Sequence, residues 1–304
     1  MPMSRATNPK QLQVGINTIF GIEYDRHPEE WRYHLDYETS NKAYEEDVLV
    51  SGLDTAQVKP EGRGVHYSEG RELWTQRYTH ETLAIAFALT EEAEEDNLYG
   101  SLGKRYGRAS ARSMQHAKEI KSSNVLNNGH NSAFKIGDGK ALFATDHPLE
   151  YGGTLRNTLA TPADLSEFSL EAALTDVDDF VDDKGIPVAT SVIRLITTTS
   201  GKYTAERLLF SMLRPGTADN DLNAIRSMNS IRDGFVVNHR LTDPRKWFLK
   251  TDCPDGMKLI QRINIRRGVE GDFETGNMRY KVRERYSVGT TDPRGAYGSA
   301  GGAG

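Results

Sequence analysis

This sequence has little of what marks an enzyme, a secreted protein or a membrane protein. It has one cysteine, Cys253, so no internal disulfide can form, and a reducing compartment fits best. No stretch reaches the roughly 18 consecutive apolar residues that a membrane-spanning helix needs. The opening MPMSRATNPKQLQVGINTIF lacks an unbroken apolar core and a small-residue cleavage site, so no signal peptide is expected. There is no basic excess. The 38 Lys and Arg face 43 Asp and Glu, for a net charge of −5, unlike a chain built to coat nucleic acid. The phosphate-cradling GxxxxGK[ST], the nucleophile elbow GxSxG and the metal spacing HxxxH are all missing.

What is present is polar and extended. The 304 residues allow one large domain or two smaller ones. Only 37 % are hydrophobic while 27 % are charged, and the mean hydropathy is −0.61, so much of the surface must be wet or meet other polar surfaces. The first 50 residues carry only short apolar runs and read as an extended arm that needs a partner surface. The closing GSAGGAG reads as a flexible tail.

Residues 51–73 are rich in glycine, and KPEGRG at 59–64 is a turn signal, because Pro fixes φ and Gly allows positive φ. A long exposed hairpin with its tip near Gly62 is expected. From Trp74 to Leu89 a period of two sets Leu83, Ile85, Phe87 and Leu89 against Thr82, Ala84, Ala86 and Ala88, which is a strand. At about 3.3 Å per residue it would span roughly 50 Å, too long for one compact body. Its distal half should leave as a ribbon carrying the hairpin.

The next segment predicts one long helix from Thr90 to Asn128, roughly 55 Å if unbroken. Acid at Glu91, Glu92, Glu94, Glu95 and Asp96 precedes base at Lys104, Arg105, Arg108, Arg112, Lys118 and Lys121, as the helix dipole favours. Its apolar stripe is narrow: Leu98, Leu102, Tyr106, Ala109, Ala117, Ile120. Gly100, Gly103 and Gly107 suggest a bend or a close approach, and two shorter helices are the alternative. Residues 130–257 alternate short helices and strands, an α+β unit. NMRYKVRERYSVGT puts Met278, Tyr280, Val282, Tyr286 and Val288 on one face and Arg279, Lys281, Arg283 and Arg285 on the other.

Three stretches invite a chemical reading. Asp146-His147, with Asp138 and His130 near in sequence, could form half of a metal or proton-transfer site, but neighbours on a strand point to opposite faces and no second ligand is spaced to help. A structural role for Asp146 at the turn before Pro148 is the stronger expectation. Asp219, Asp221 and Asn223 resemble the start of a calcium loop, yet Ala224 stands at the obligatory glycine and Ser230 at the closing Glu. The basic clusters at 104–112 and 263–268 fit interface or solvated surface better than base readers.

The collinear segments LDTAQVKPEGRGVHYSEGRELWTQRYTHETLAIAFALTEEAEEDNLY, KEIKSSNVLNN, DGKALFATDHPL, NTLATPADLSEFSLEAAL, ERLLFSMLRPGTADNDLNAI, VVNHRLTDPRKWFLKTDCPDG and GDFETGNMRYKVRERYSVGTTDPRGAYGS resemble the major capsid subunit of tailed phages of the Mu-like type, with the Hong Kong 97-type fold. The resemblance implies an α+β chain divided into an N-terminal arm (1–50), an extended β-hairpin loop (51–80), a peripheral domain with a long spine helix (81–134 and 258–292), an axial domain (135–257) and a flexible C-terminal tail (293–304). It implies no enzyme activity and no cofactor or metal. It places the assembly contact at the loop tip, Lys59, Pro60, Glu61, Gly62, Arg63 and Gly64. The implied partners are identical subunits in hexamers and pentamers, separate scaffold or protease and portal proteins, a decoration protein as a further candidate, and packaged double-stranded DNA held without sequence preference; no membrane is implied. The implied location is the virion head, assembled in the bacterial host cytoplasm. The founding member of the fold type carries a long scaffolding segment before its arm and cross-links Lys to Asn. Here the arm begins almost at once, and no cross-link is expected. The competing readings are a metal-dependent hydrolase using Asp138, Asp146, His147 and His130, and another repeating virion protein such as a tube or sheath.

Overall fold

The computed structural model describes residues 9–26, 28–90, 99–213, 221–272 and 276–302. In chain order the described elements are α1 (Pro9–Arg26), a 3-10 turn (Glu30–Tyr33), β1 (Asp36–Thr39), β2 (Tyr44–Val50), β3 (Glu72–Thr79), β4 (Glu81–Leu89), α2 (Tyr99–Asn127), β5 (His147–Pro148), β6 (Thr154–Leu155), α3 (Glu167–Asp178), β7 (Val192–Thr197), α4 (Lys202–Phe210), α5 (Ala224–Ser227), β8 (Phe235–Val237), β9 (Trp247–Thr251), β10 (Met257–Gly271), β11 (Met278–Thr290), a 3-10 turn (Pro293–Gly295) and β12 (Ala296–Ser299).

The first sheet has the order β1-β10-β11-β4. The period-two reading of β4 holds: Leu83, Ile85 and Phe87 are partly covered and Leu89 is buried, while Thr82, Ala84, Ala86 and Ala88 are exposed. The covered side meets α1 and α2 through Phe20, Ala111, Met114 and Val282. The second sheet, β12-β9-β7-β8, carries α3, α4 and α5 against a core that includes Leu170, Ala173, Val177, Leu195, Leu208 and Trp247. A third cluster joins the two sheets: Leu126 at the end of α2, Phe143, Phe248 from β9, and Leu259 and Tyr286 from β10 and β11.

Three expectations change. The arm is not extended where it is described, because residues 9–26 form a helix. Phe20 and Tyr24, one turn apart, stack at 5.9 Å, and Phe20 is buried among Ala111, Met114 and Val282. That burial exists only once α2 and the sheet are in place, so the short apolar runs gave no local sign of a helix. The strand from Trp74 is two strands that part at His80. β3 pairs with β2, and β4 pairs with β11. His80 is buried at the break, with Nδ1 3.0 Å from the Ser287 hydroxyl and its carbonyl accepting from Arg285 Nε.

The long helix is present as the 29 residues of α2, and it runs through Gly103 and Gly107. Its acidic start, Glu91–Asp96, lies outside the described residues. The tail expected at 293–304 is not flexible where it is described. Ala296–Ser299 is the edge strand β12, paired with β9, and it belongs to the second sheet rather than to a free end. Tyr297 is fully buried and its hydroxyl donates to Asp176 at 2.5 Å. Gly298 passes where a Cβ would lie 2.8 Å from Phe248 and 3.0 Å from Phe143. The small residues that suggested disorder are what let this strand close on two aromatic rings.

Candidate functional site

The hairpin expected at 51–73 is the most exposed part of the described chain. β2 and β3 pair antiparallel from Tyr44↔Thr79 outward, with a bulge between Val48 and Val50. Beyond them the two arms of the loop are held at only a few points. Ser51 N donates to Arg71 O at 2.8 Å, and Arg71 N returns a bond to Ser51 Oγ at 2.9 Å. Asp54 N donates to Ser68 Oγ at 2.9 Å. At the tip Arg63 N donates to Pro60 O at 3.2 Å, and Gly62 takes φ +75° with open space around it. The expected tip residues Lys59, Pro60, Glu61, Gly62, Arg63 and Gly64 are all exposed. So are the loop's apolar side chains: Val58 is 94 % exposed, Tyr67 86 % and Leu53 62 %.

The root of the loop is built in the opposite way. Tyr78 is buried, and its hydroxyl lies 2.5 Å from Thr291 Oγ1. Trp74 Nε1 donates to Thr291 O at 3.3 Å, and Thr291 Oγ1 donates to Asp47 Oδ2 at 3.1 Å. Lys258 Nζ lies 2.6 Å from Asp255, 2.9 Å from Asp47 and 3.2 Å from Glu38. One ammonium thus binds β1, β2 and the start of β10. Burial opposes the charge on Lys258, but the three carboxylates outweigh it and hold the amine above its usual range. Two glycines admit the aromatic anchors. A Cβ on Gly289 would stand 2.7 Å from Tyr78, and one on Gly137 2.5 Å from Trp74. Lys184 reaches Glu150 at 3.2 Å and Asp54 at 3.8 Å, so the base of the loop also leans on residues that precede the second sheet. Sequence reasoning found the loop and missed this root, because its partners stand more than 200 positions apart.

Two of the residues singled out for chemistry, Asp138 and His147, form a structural knot. His147 is fully buried, with Nδ1 2.5 Å from Asp138 Oδ2 and Nε2 3.1 Å from Asn157 Oδ1. The Asn157 amide nitrogen faces Leu142 O at 2.7 Å, Pro293 O at 3.0 Å and Ala296 O at 3.3 Å, which sets its oxygen toward the histidine. This unit ties the turn at 138–147 to the start of β12. Asp146, expected to hold the turn before Pro148, is exposed and bonded to Lys140. His130 stands apart, 4.9 Å from the Phe143 ring and 3.3 Å from Thr158 Oγ1; burial lowers its pKa to about 4. Among the described residues no three His, Cys, Asp or Glu side chains gather as a metal site. Asn223 accepts from Arg226 N and donates to Leu208 O, which caps α5; Asp219 lies outside the described residues. Burial and the nearby Asp292 push the Cys253 thiol up, away from reactivity.

The chain is thus an anchored ribbon with an uncovered apolar loop, set on two sheets joined by a shared core. Residues 72–299 match the family described as phage capsid protein, and the chain belongs to that family. Its members are structural shell proteins rather than enzymes, and this chain has the same role in the virion head. No curated protein matches the sequence. Among solved structures, the virus-like particle from Pyrococcus furiosus is similar at 11 % identity and TM-score 0.53, over 93 % of this chain and 97 % of that one. The capsid of an empty GTA particle computed with C5 symmetry is similar at 10 % identity and TM-score 0.53, over 91 % of each chain. A structure from Microbacterium phage Oxtober96 is similar at 11 % identity and TM-score 0.50, over 90 % of each. At these identities the likeness is one of fold, which is the Hong Kong 97-type α+β capsid fold.

Proposed function

We propose that this subunit assembles into hexamers and pentamers that close an icosahedral head around double-stranded DNA, with the loop at 51–80 clasping a neighbouring copy through Lys59–Gly64 and its exposed Val58 and Tyr67. In this reading the first sheet with α2, residues 81–134 and 258–292, forms the peripheral domain, and residues 135–257 together with β12 form the axial domain. Scaffold or protease, portal and decoration functions fall to separate proteins. One observation carries the clasp: the loop is rigidly rooted yet uncovered, with apolar side chains that nothing among the described residues shields. Each subunit would make several modest contacts, which multiply into a stable closed shell. Deleting residues 57–66 should leave a folded chain with a nearly unchanged melting curve, because beyond Asp54 and Ser68 the loop makes only its own turn and the exposed His66–Asp54 contact at 3.8 Å. Electron microscopy should then show no particles. Normal particles from that deletion would remove the clasp.

A further inference from the structure

The helices of the second sheet carry a groove and an exposed helix face that complement each other. The groove, about 660 Å3, lies between α3 and α5 beside the start of β7. Leu174, Val192 and Ile225 give it apolar lining, and Met228 lines it while 76 % exposed. Glu171 and Asp178 line its α3 side. At about 1.5 Å per residue these two carboxylates stand about 10.5 Å apart along the helix. Neither has a cationic partner among the described residues.

The counterpart is α4. Ala205, Leu208 and Leu209 bury one side of it in the core. That leaves Lys202, Tyr203, Glu206, Arg207 and Phe210 exposed, the helical stripe of positions three, four and seven apart. Tyr203 is 72 % and Phe210 51 % exposed, and large apolar side chains grouped on one surface mark a contact. Lys202 and Arg207 have no carboxylate partner among the described residues. They stand about 7.5 Å apart along the axis, within the span of the two α3 acids. The stripe is aromatic and cationic where the groove is apolar and acidic.

The two cannot meet within one chain. Asn223 Nδ2 donates to Leu208 O at 2.8 Å, and Arg226 Nη1 donates to Phe210 O at 2.8 Å. These bonds and the shared core fix α4 beside α5, and none of the stripe residues is among the described residues that line the groove.

We propose that the Tyr203–Phe210 face of α4 on one copy docks in the α3–α5 groove of a second copy, with Lys202 and Arg207 paired to Glu171 and Asp178. Glu206 then faces Arg232, which also lines the groove. The contact is separate from the loop clasp and rests on the shell reading above. Helix-in-groove docking supplies the apolar anchors, and the opposite charges fix the register. Because it joins two different patches, the contact runs head to tail and closes into a ring when its rotation allows.

The test is a charge swap in the full chain. In K202E/R207E, rings and particles should be lost by electron microscopy and light scattering. The melting temperature of the unassembled chain should be unchanged, because both side chains are exposed. Adding E171K and D178K to that variant should restore assembly. If the reversal impairs folding, the neutral variant K202Q/R207Q replaces it, and the expected result is loss of assembly at salt concentrations where the wild type assembles. Assembly of the reversed or the neutral variant equal to wild type would overturn the proposal. So would loss that the swap does not restore, which would give the groove a different occupant. A wild-type chain that never forms closed particles would instead bring down the shell reading beneath it.

Discussion

The residues that decide this protein's behaviour are buried charges. Lys258 has a side-chain exposure of 5 % and three carboxylate partners, themselves 27–59 % exposed. Replacing it with Met leaves Asp47 without its cation at the root of the loop. Breaking a buried pair from one side costs about 3–5 kcal/mol, and because these carboxylates keep some water we expect the lower end, about 3 kcal/mol, read as a lower denaturation midpoint. Glu119, 1 % exposed on α2, lies close to the Glu30 and Trp31 backbone. Burial raises its carboxyl to about 7, helped by Glu30 and opposed by the Trp31 backbone and Arg240. A carboxyl raised on folding holds its proton longer in the folded chain than in the unfolded one. Stability is therefore highest below about 4.5, the unfolded value, and is lost as pH rises toward 7. At about 1.4 kcal/mol per unit, Glu119→Gln should gain on the order of 2 kcal/mol relative to wild type at pH 8 and little at pH 4.5. Equal differences at both pH values, measured by urea denaturation, would contradict this account.

At the scale of elements, local patterning was a good guide wherever one face of a strand or helix is covered. The period-two signal in β4, the two-faced β11 and the KPEGRG turn are all read from residues that lie next to each other. Elements held by distant partners were not legible. α1 is a helix because Phe20 finds Ala111 and Met114, and β12 is a strand because β9 offers it an edge. The stretch around His147 was already read as more structural than chemical, but only the fold supplies its partners Asp138 and Asn157. The closing segment gives the sharpest test of this difference. Truncation after Gly295 removes β12, uncovers Phe248 and Phe143 and deletes the Tyr297–Asp176 bond. If the end were a loose tail, the cut would leave stability unchanged. We expect instead a loss of several kcal/mol, in line with about 3–5 kcal/mol for removing one large buried aromatic, together with rapid proteolysis of residues 135–257.

For the whole molecule, the division of labour is between a well-packed body and a surface left unfinished. The body is polar for its size, yet Trp31, Trp247, Tyr78, Tyr286 and Tyr297 are almost completely enclosed. At the loop that burial stops, with Val58 94 % and Tyr67 86 % exposed. The shell role was readable before the fold was known through the resemblance of collinear segments such as DGKALFATDHPL to tailed-phage capsid subunits, with which the polar, extended patterning agreed. Its consequence is thermodynamic: assembly should strengthen the chain by mass action, because partners bind only the folded form. The melting temperature of assembled particles should lie well above that of dispersed subunits, and the deletion of 57–66, which forms no particles, should show only the lower one. Calorimetry showing one shared melting temperature for both forms would count against this coupling.

The knot of Tyr78, Thr291, Asp47 and Lys258 has one more implication. A lever whose fulcrum is bolted in several places can swing little, so its direction is chosen during folding and not at the moment of encounter. In a closed container, the angle at which each piece greets the next sets how sharply the wall bends. Loosening the fulcrum, for instance with Thr291→Val, should therefore change the diameter and uniformity of the vessels more than their number.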